Sequence, residues 1–404
     1  FDDVEISRLR NALFEIAKQT LEHYDEICEE DLRSLGQLTE LRHELRKHSP
    51  LAETNVMKLY SYIDELLDSI KDHGTPQFTR QARCAFMARS FCRTLVEKGY
   101  FTKQEMDDFM LSIPTVASEF ERDFDLYSHG KLSRDDFNHL YGHLRLGTYD
   151  IRSDSYRNIY FDVASANLTG NNKVKQEAKS LDLERLQVAL DEAGIPVTPE
   201  KFIEFIKKAT QNREYFKFEF TKSLSLMLDV IVKLGEVMAI AREDMSYLEI
   251  QDLLSYHSRD SYIQTIETRR RFYHVNSYLV LPEVIFDVGD IDVIDIDEAR
   301  PNFITNKVVE APIVNLDEDH DSDITGKIVA LTKADPGYDW IFAKDIAGFV
   351  TKYGGAASHM AIRCAEFGIP AAIGCGEKIY QRIHRMQIMC LDCENGRITE
   401  KQSQ

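Results

Sequence analysis

A single histidine, His359, lies at the centre of a stretch whose residue types and spacing suit phosphoryl chemistry. The stretch, Gly348 to Gly374, is typical of a buried strand, a tight turn at Gly354 and Gly355, and a helix that begins after Ser358. His359 then falls in the first turn of that helix, where unpaired backbone N–H groups and the helix dipole attract anions. A neutral imidazole nitrogen is nucleophilic at physiological pH, so it can take up a phosphoryl group whose oxygens the amides and the Ser358 hydroxyl hold.

The rest of the stretch decides between that chemistry and an ordinary helix cap, because an isolated Ser-His pair more often only caps a helix. The residues that fit one common pattern are Gly354, Gly355, Ser358, His359, Ala361, Ile362, Glu366, Gly368, Ile369, Pro370, Ala371 and Gly374. This pattern resembles the phosphohistidine, or swivelling, domain of the PEP-utilising phosphotransferases, the family of pyruvate phosphate dikinase, PEP synthase and rifampin phosphotransferase. The resemblance implies that His359 carries phosphate and that Gly354, Gly355 and Ser358 stabilise it.

The chain departs from the family pattern close to the histidine. Ala357 replaces the usual threonine, Cys364 and Ala365 replace the usual Ala-Arg pair, and Ala356 replaces a bulkier residue. These changes remove one hydroxyl and one arginine from the neighbourhood of the expected phosphate. We expect them to affect the rate of transfer rather than the role of His359.

Composition limits the classes of partner. The 404 residues are enough for two or more domains, with 43% hydrophobic and 29% charged residues. A net charge of -19 argues against nucleic acid as a partner, and no long apolar run or signal peptide suggests a membrane. Seven scattered cysteines favour a reducing, cytoplasmic location. The first residue is Phe rather than Met, so we expect a fragment of a longer polypeptide.

We expect no metal site in this chain. Cys390 and Cys393 form a Cys-x-x-Cys motif that could bind zinc together with Cys364 and Cys375. The motif follows a predicted strand, however, and strand positions three residues apart face opposite sides.

Hydrophobic periodicity predicts a helical region followed by a compact α/β unit. The resemblance implies that residues 1–280 are an all-α acceptor-binding domain, in which 1–72 form a helical N-terminal part and 73–280 the part that resembles the family. Residues 281–302, where aspartates alternate with Val and Ile, are an acidic hinge or edge strand. By the same resemblance, we expect residues 303–404 to form the α/β swivelling phosphohistidine domain. Its predicted strands lie near Val308–Leu316, Lys327–Leu331, Gly348–Val350, Ala371–Ile373 and Gln387–Leu391.

A glycine-punctuated loop near Tyr141–Asn158 is dense in groups that can bind a small polar or anionic ligand, namely His143, Arg145, Tyr149 and Asp150. The alternative is a polar surface turn with an internally bonded histidine. The stretch resembles a Tyr-Gly-His-x-Arg-x-Gly loop in the central helical domain of relatives of rifampin phosphotransferase, especially those of bacterial surface-polysaccharide metabolism.

A second candidate for acceptor binding lies on a later helix. Arg213 and Lys217 resemble part of a family segment, although a solvated face with intrahelical ion pairs explains the same charges.

The resemblance implies an ATP-dependent phosphotransferase that passes phosphate from ATP through His359 to a small polar acceptor, releasing AMP and phosphate. ATP and Mg²⁺ would be bound mainly by an ATP-grasp domain, in the same polypeptide or a separate chain. Only 45 residues follow His359, too few for the pyruvate-binding barrel of the PEP synthase-like enzymes. The resemblance to relatives such as L-glutamine kinase makes L-glutamine our preferred acceptor. We would then expect the chain to act in capsule biosynthesis. A rifamycin-type antibiotic, a PEP synthase-like reaction, and a non-catalytic regulatory or scaffold protein remain as alternatives.

Overall fold

The computed structural model describes most of the chain, namely residues 2–145, 147–158, 180–276, 285, 287–291, 301–317, 322–333, 336–356 and 358–401. The described residues form two compact units. The first unit comprises those within Phe1–Glu53, Ser61–Phe120 and Thr169–Val230, and the second those within Thr54–Tyr60, Glu121–Leu168 and Ile231–Gln404.

Helices follow one another along the described part of the chain up to Asn276, as the sequence predicts. They are α1 (Asp3–Glu22), α2 (Tyr24–Lys47), α3 (Val56–His73), α4 (Thr75–Glu97), α5 (Lys103–Leu111), α6 (Val116–Ser128), α7 (Arg134–Tyr141), α8 (Leu183–Ala193), α9 (Pro199–Val237), α10 (Arg242–Met245), α11 (Ile250–Leu254) and α12 (Arg259–Asn276). None of these described helices combines the length and the apolar character needed to cross a bilayer.

Local capping explains where several of these helices begin. Thr102 is the N-cap of α5: its hydroxyl accepts from the backbone N–H of Glu105, while the Glu105 carboxylate accepts from the Thr102 N–H. This reciprocal capping box satisfies two N–H groups that a helix start otherwise leaves unpaired. Asp182 caps α8 through its side chain alone, which accepts from the N–H groups of Glu184 and Arg185.

The first unit is built around an apolar core with a buried polar chain inside it. Apolar side chains from α2, α4, α5, α8 and α9 form the core. Within it, the Tyr24 hydroxyl donates to Gln81, and the Gln81 amide donates to Asp31, which is 1% exposed. Each member has a hydrogen-bond partner, which is the condition under which such groups can be buried without a large penalty.

A seven-stranded sheet forms the C-terminal part of the second unit. Its strands are β1 (Asn302–Ile304), β2 (Val308–Asn315), β3 (Ile328–Lys333), β4 (Gly348–Tyr353), β5 (Ala371–Ile373), β6 (Ile388–Asp392) and β7 (Arg397–Glu400), in the spatial order β1-β5-β4-β3-β2-β6-β7. Strands β2, β3, β4 and β5 pair in parallel, whereas β1, β6 and β7 join antiparallel. Helices α13 (His359–Phe367) and α14 (Gly376–Ile383) connect β4 to β5 and β5 to β6.

The central strands explain why the predicted chemistry lies at one edge of this sheet. The first four residues of β3 and of β4 are buried, as expected of parallel strands covered on both faces. Parallel strands end at a common edge, and ligands of open α/β sheets bind outside the carboxyl ends of the strands. The chain leaves β4 at that edge, turns, and enters α13 at His359.

The helical N-terminal region and the C-terminal sheet agree with the predicted multidomain layout. The five predicted strands correspond to β2–β6, while β1 and β7 were not predicted. Most of the proposed hinge, residues 281–302, lies outside the described residues. The proposed domain boundaries therefore stay predictions.

Candidate functional site

His359 is the first residue of α13, as predicted, and Ser358 is the N-cap. The Ser358 hydroxyl accepts from the backbone N–H of Ala361 at 3.4 Å. The hydroxyl can still donate to another group, because a serine oxygen carries one hydrogen besides its acceptor sites. The helix ends at Gly368, whose φ of 63° suits a left-handed C-cap.

The glycine turn before α13 is fixed by a close approach of two backbones. Gly354 has a φ of 131° and Gly374 a φ of 76°, conformations that favour glycine. A Cβ atom on Gly374 would lie 2.3 Å from the carbonyl oxygen of Gly354. By contrast, a Cβ on Gly355 would meet nothing within 4 Å, so the turn leaves open space beside this residue.

A carboxylate faces the ring of His359. Asp339, in the 3-10 helix Pro336–Ala343, places Oδ1 2.6 Å and Oδ2 2.8 Å from His359 Nε2. The two side chains are 13% and 23% exposed. In this arrangement Nε2 carries the hydrogen that Asp339 accepts, so the lone pair of a neutral ring lies on Nδ1.

Arg363 lies one helical turn after His359 and brings a positive charge to the same place. Its Nε is 3.9 Å from Asp339 Oδ1. Its Nη2 donates to Glu121 Oε1 at 2.6 Å, and its guanidinium stacks on the Phe367 ring at 4.5 Å. The side chain is 13% exposed, so ring stacking and ion pairs hold the guanidinium in a partly desolvated position.

The charges around Arg363 reinforce its cationic state. Burial alone would lower the pKa of the guanidinium, but the carboxylates of Asp339, Glu121 and Glu366 outweigh that effect and raise it. The group is therefore a permanent positive charge beside the histidine.

Hydrogen bonds from within the predicted acceptor loop and from Arg242 meet at the carbonyl of Ser153. His143 and Arg145 are 5% and 2% exposed. The Arg145 guanidinium donates to the carbonyl of Ser153 at 2.7 Å, and Arg242 donates to the same carbonyl at 2.9 Å. Tyr149 is 60% exposed. Arg145 therefore contributes hydrogen bonds within the loop, and the role of these residues in acceptor binding stays a prediction.

Two contacts connect this loop with the histidine-bearing part of the same unit. The Tyr156 hydroxyl donates to the carbonyl of Gly337 at 2.5 Å, two residues before Asp339. Asp150 lies 3.4 Å from Lys333 Nζ at the end of β3, and it also pairs with Arg152. The structure thus brings the predicted loop next to the 3-10 helix whose carboxylate faces His359.

Arg213 and Lys217 lie on α9, in the first compact unit. They are four residues apart and share a helix face. Arg213 pairs with Glu214 at 3.3 Å and lies 5.7 Å from the ring centroid of Phe86.

Comparison with known proteins supports the interpretation of this site. Residues 324–396 match the family described as PEP-utilising enzyme, mobile domain. This part of the chain is therefore similar to the mobile domain of PEP-utilising enzymes. The chain is similar to the rifampicin phosphotransferase of Bacillus subtilis, with 27% identity over 222 residues, 50% of this chain and 24% of the relative. It is also similar to that of Bacillus cereus, with 26% identity over 212 residues, 48% of this chain and 24% of the relative. The matched region thus spans about a quarter of the length of these curated relatives.

Within the mobile domain, Nε2 can become a nucleophile only if Asp339 withdraws. A nitrogen that donates a hydrogen bond has no lone pair available for attack on phosphorus. Withdrawal of the carboxylate and a shift of the ring proton to Nδ1 would expose the Nε2 lone pair next to Arg363 and the start of α13.

Sequence reasoning missed Asp339, Glu121 and Arg363. Asp339 follows a loop, Asp335-Pro336-Gly337, that resembles the family's, but nothing in its spacing connects it with a histidine 20 positions later. Arg363 had a detectable signal, because positions four apart on a helix share a face. Ala365 still lacks the usual arginine, but Arg363 brings a positive charge to the site from another position of α13.

A separate cavity of about 380 Å³ lies between α14 and the ends of β2, β3 and β4. Its polar residues contact each other, for example Lys352 with Glu377 and Asn315 with His384. Among the described residues, no group of three or more His, Cys, Asp or Glu side chains could hold a metal ion.

Proposed function

We propose that this chain carries a phosphoryl group on His359 between a donor site and a small-molecule acceptor. The observation that carries the proposal is the position of His359 at the start of α13, within a matched mobile domain and beside Arg363. A helix start and a guanidinium both favour an anion at this place, and a glycine turn leaves room for it.

Each transfer of the phosphoryl group, onto His359 and then off it, forms one bond to phosphorus and breaks another. The Nε2 lone pair forms a bond to phosphorus while the bond from phosphorus to the donor's leaving oxygen breaks, and that oxygen keeps the electron pair. The acceptor atom then attacks the same phosphorus, the N–P bond breaks, and the ring regains its lone pair. Gly354, Gly355 and Ser358 contribute backbone N–H groups and one hydroxyl to the phosphoryl oxygens.

We propose ATP as the donor: Nε2 attacks its β-phosphorus, the bond from that phosphorus to AMP breaks, and AMP keeps the electron pair. Water then hydrolyses the transient pyrophosphoryl group on His359, so that phosphate leaves and one phosphoryl group stays on the ring. ATP and Mg²⁺ would be bound by an ATP-grasp domain, either in the same polypeptide or in a separate chain. Carriage by a mobile domain suits this division, because the histidine can visit one site at a time.

We propose a small polar acceptor, with L-glutamine preferred. The contact between Tyr156 and Gly337 supports a place for the acceptor near the loop that contains His143, because it links this loop to the 3-10 helix beside His359. A rifamycin-type antibiotic is the second candidate, since the two relatives are named rifampicin phosphotransferases.

The test is turnover by the chain together with its ATP-grasp domain, followed by phosphorus NMR. The reaction contains ATP, Mg²⁺ and either L-glutamine, rifampicin, pyruvate or no acceptor. We expect AMP, phosphate and a new phosphorylated product with L-glutamine, and none of these with His359→Gln. ATP cleavage without a phosphorylated product from any acceptor would favour another substrate, whereas no cleavage at all would support a regulatory or scaffold protein.

A further inference from the structure

The position of the Asp339 carboxylate indicates where a phosphoryl group would bind. Its Oδ1 lies 2.6 Å from His359 Nε2 and 3.9 Å from Arg363 Nε. A phosphoryl group bonded to Nε2 would place its oxygens in the same region, between the ring and the guanidinium. The carboxylate therefore occupies the space that an anion on Nε2 requires.

Arg363 has a hydrogen-bond donor that could bind this anion. Its Nη1 and Nη2 contact Glu366 and Glu121, at 3.3 Å and 2.6 Å. Its Nε is buried and makes no hydrogen bond in the described part of the chain. Since Phe342 and Phe367 both contact the guanidinium, its plane is fixed and the Nε–H direction is preorganised. A buried donor of this kind gains from an acceptor that reaches it.

The charges favour an exchange of one anion for the other. A phosphoryl dianion and the Asp339 carboxylate would repel each other if both remained beside Nε2, and this repulsion is strong in a partly desolvated site. Departure of Asp339 removes the repulsion and breaks the contact that holds the proton on Nε2. Arg363 stays in place because Glu121 and Glu366 hold its other nitrogens.

We propose that Arg363 binds the phosphoryl group of phosphorylated His359, and that Asp339 occupies the phosphoryl position in the unphosphorylated protein and is displaced from it. The inference rests on the proposed function, because it assumes that His359 is the phosphorylated residue. In the attack, the ring carries its proton on Nδ1, the Nε2 lone pair bonds to phosphorus, and the leaving group keeps the electron pair of the broken bond. Neither Asp339 nor Arg363 forms or breaks a covalent bond in this step.

Chemical phosphorylation of the 404-residue chain with phosphoramidate tests this role without a donor domain. Here the P–N bond of the reagent breaks and ammonia leaves. The chain contains twelve histidines, so label is measured on the peptide that contains His359 by mass spectrometry at alkaline pH. Thermal unfolding of each variant confirms that it is folded.

Arg363→Gln is expected to lower the labelling rate of His359 by about tenfold or more, equivalent to about 1.4 kcal/mol. Arg363→Lys, which keeps the charge without the planar fork, should label at an intermediate rate. Asp339→Asn should label as fast as the wild type or faster, because the competing charge is gone. The matched control, Arg397→Gln, removes an exposed arginine of β7 and should leave the rate unchanged.

Each result has a defined meaning. Labelling of Arg363→Gln at the wild-type rate would overturn the role of Arg363. Slow labelling of Asp339→Asn would refute the proposal that the Asp339 carboxylate competes with the phosphoryl group, and would indicate that the carboxylate is needed for the attack. If the wild-type chain acquires no label on His359, while other histidines do, the proposed function itself fails. Loss of label in His359→Gln together with normal labelling of Arg363→Gln would refute this inference alone.

Discussion

Substitution of Gly374 by alanine should destabilise the sheet domain and disturb the turn before His359. Gly374 has a φ of 76°, and an added Cβ would lie 2.3 Å from the Gly354 carbonyl oxygen. The left-handed backbone costs an alanine about 1–2 kcal/mol. The overlap adds about 1–3 kcal/mol, because a backbone carbonyl cannot rotate away as a flexible side chain does. We therefore expect Gly374→Ala to lower the free energy of unfolding by about 2–5 kcal/mol.

Gly326→Ala is the matched control for this prediction. Gly326 precedes β3 and has a φ of 69°, but a Cβ there would meet nothing within 4 Å. Only the backbone penalty of about 1–2 kcal/mol applies. Urea unfolding followed by fluorescence reports on this domain, since Trp340, the single tryptophan, lies in the 3-10 helix beside the site. Equal losses for the two variants would refute the argument from the Gly354 contact.

Three further predictions concern other parts of the chain. Glu219→Ala should cost about 3 kcal/mol by urea unfolding, because it leaves the guanidinium of Arg42, which is 4% exposed, without its carboxylate partner; a loss below 1 kcal/mol would contradict this. Burial raises the pKa of the Cys92 thiol to about 12, so iodoacetamide at pH 8 should modify the partly exposed Cys390 long before Cys92, as mass spectrometry of the peptides would show. Hydrogen bonding to a neighbouring arginine lowers the pKa of Asp150. The ionised Asp150 therefore contributes its full stabilisation above the unfolded-state pKa of about 3.9. This stabilisation is lost as the pH falls through the lower folded-state pKa. The stability difference between the wild type and Asp150→Asn should thus stay constant from pH 7 to 5 and shrink below about pH 4; growth of the difference in acid would contradict the sign.

The part of the site that is local in sequence could be predicted, because one turn and one helix determine it. The glycines, Ser358 and His359 lie within a few positions of one another, so spacing alone places the ring at the start of α13. Strands β2 to β6 could also be predicted, because their hydrophobic runs are longer or more buried. The short edge strands β1 and β7 have weaker hydrophobic patterns and could not.

The remainder of the site depends on contacts between distant positions. Glu121 and Arg363 are 242 residues apart, and only the fold brings them within 2.6 Å. Arg145 lies within a local loop, yet only the structure shows that it is 2% exposed and donates to the carbonyl of Ser153. Its part in acceptor binding stays a prediction. Residue type indicates that a charge must be satisfied, but it does not say whether a ligand or the protein satisfies it.

The central claim is that His359 carries the phosphoryl group, and the location of acid-labile phosphate tests it most directly. The chain is incubated with the proposed ATP-grasp domain, ATP and Mg²⁺ without acceptor, and is then digested at alkaline pH. Its phosphopeptides are sequenced by mass spectrometry. The account predicts one acid-labile phosphate, on His359, that disappears when the acceptor is added and is absent from His359→Gln. Phosphate on another residue, or a His359→Gln variant that still acquires label and turns over, would contradict it.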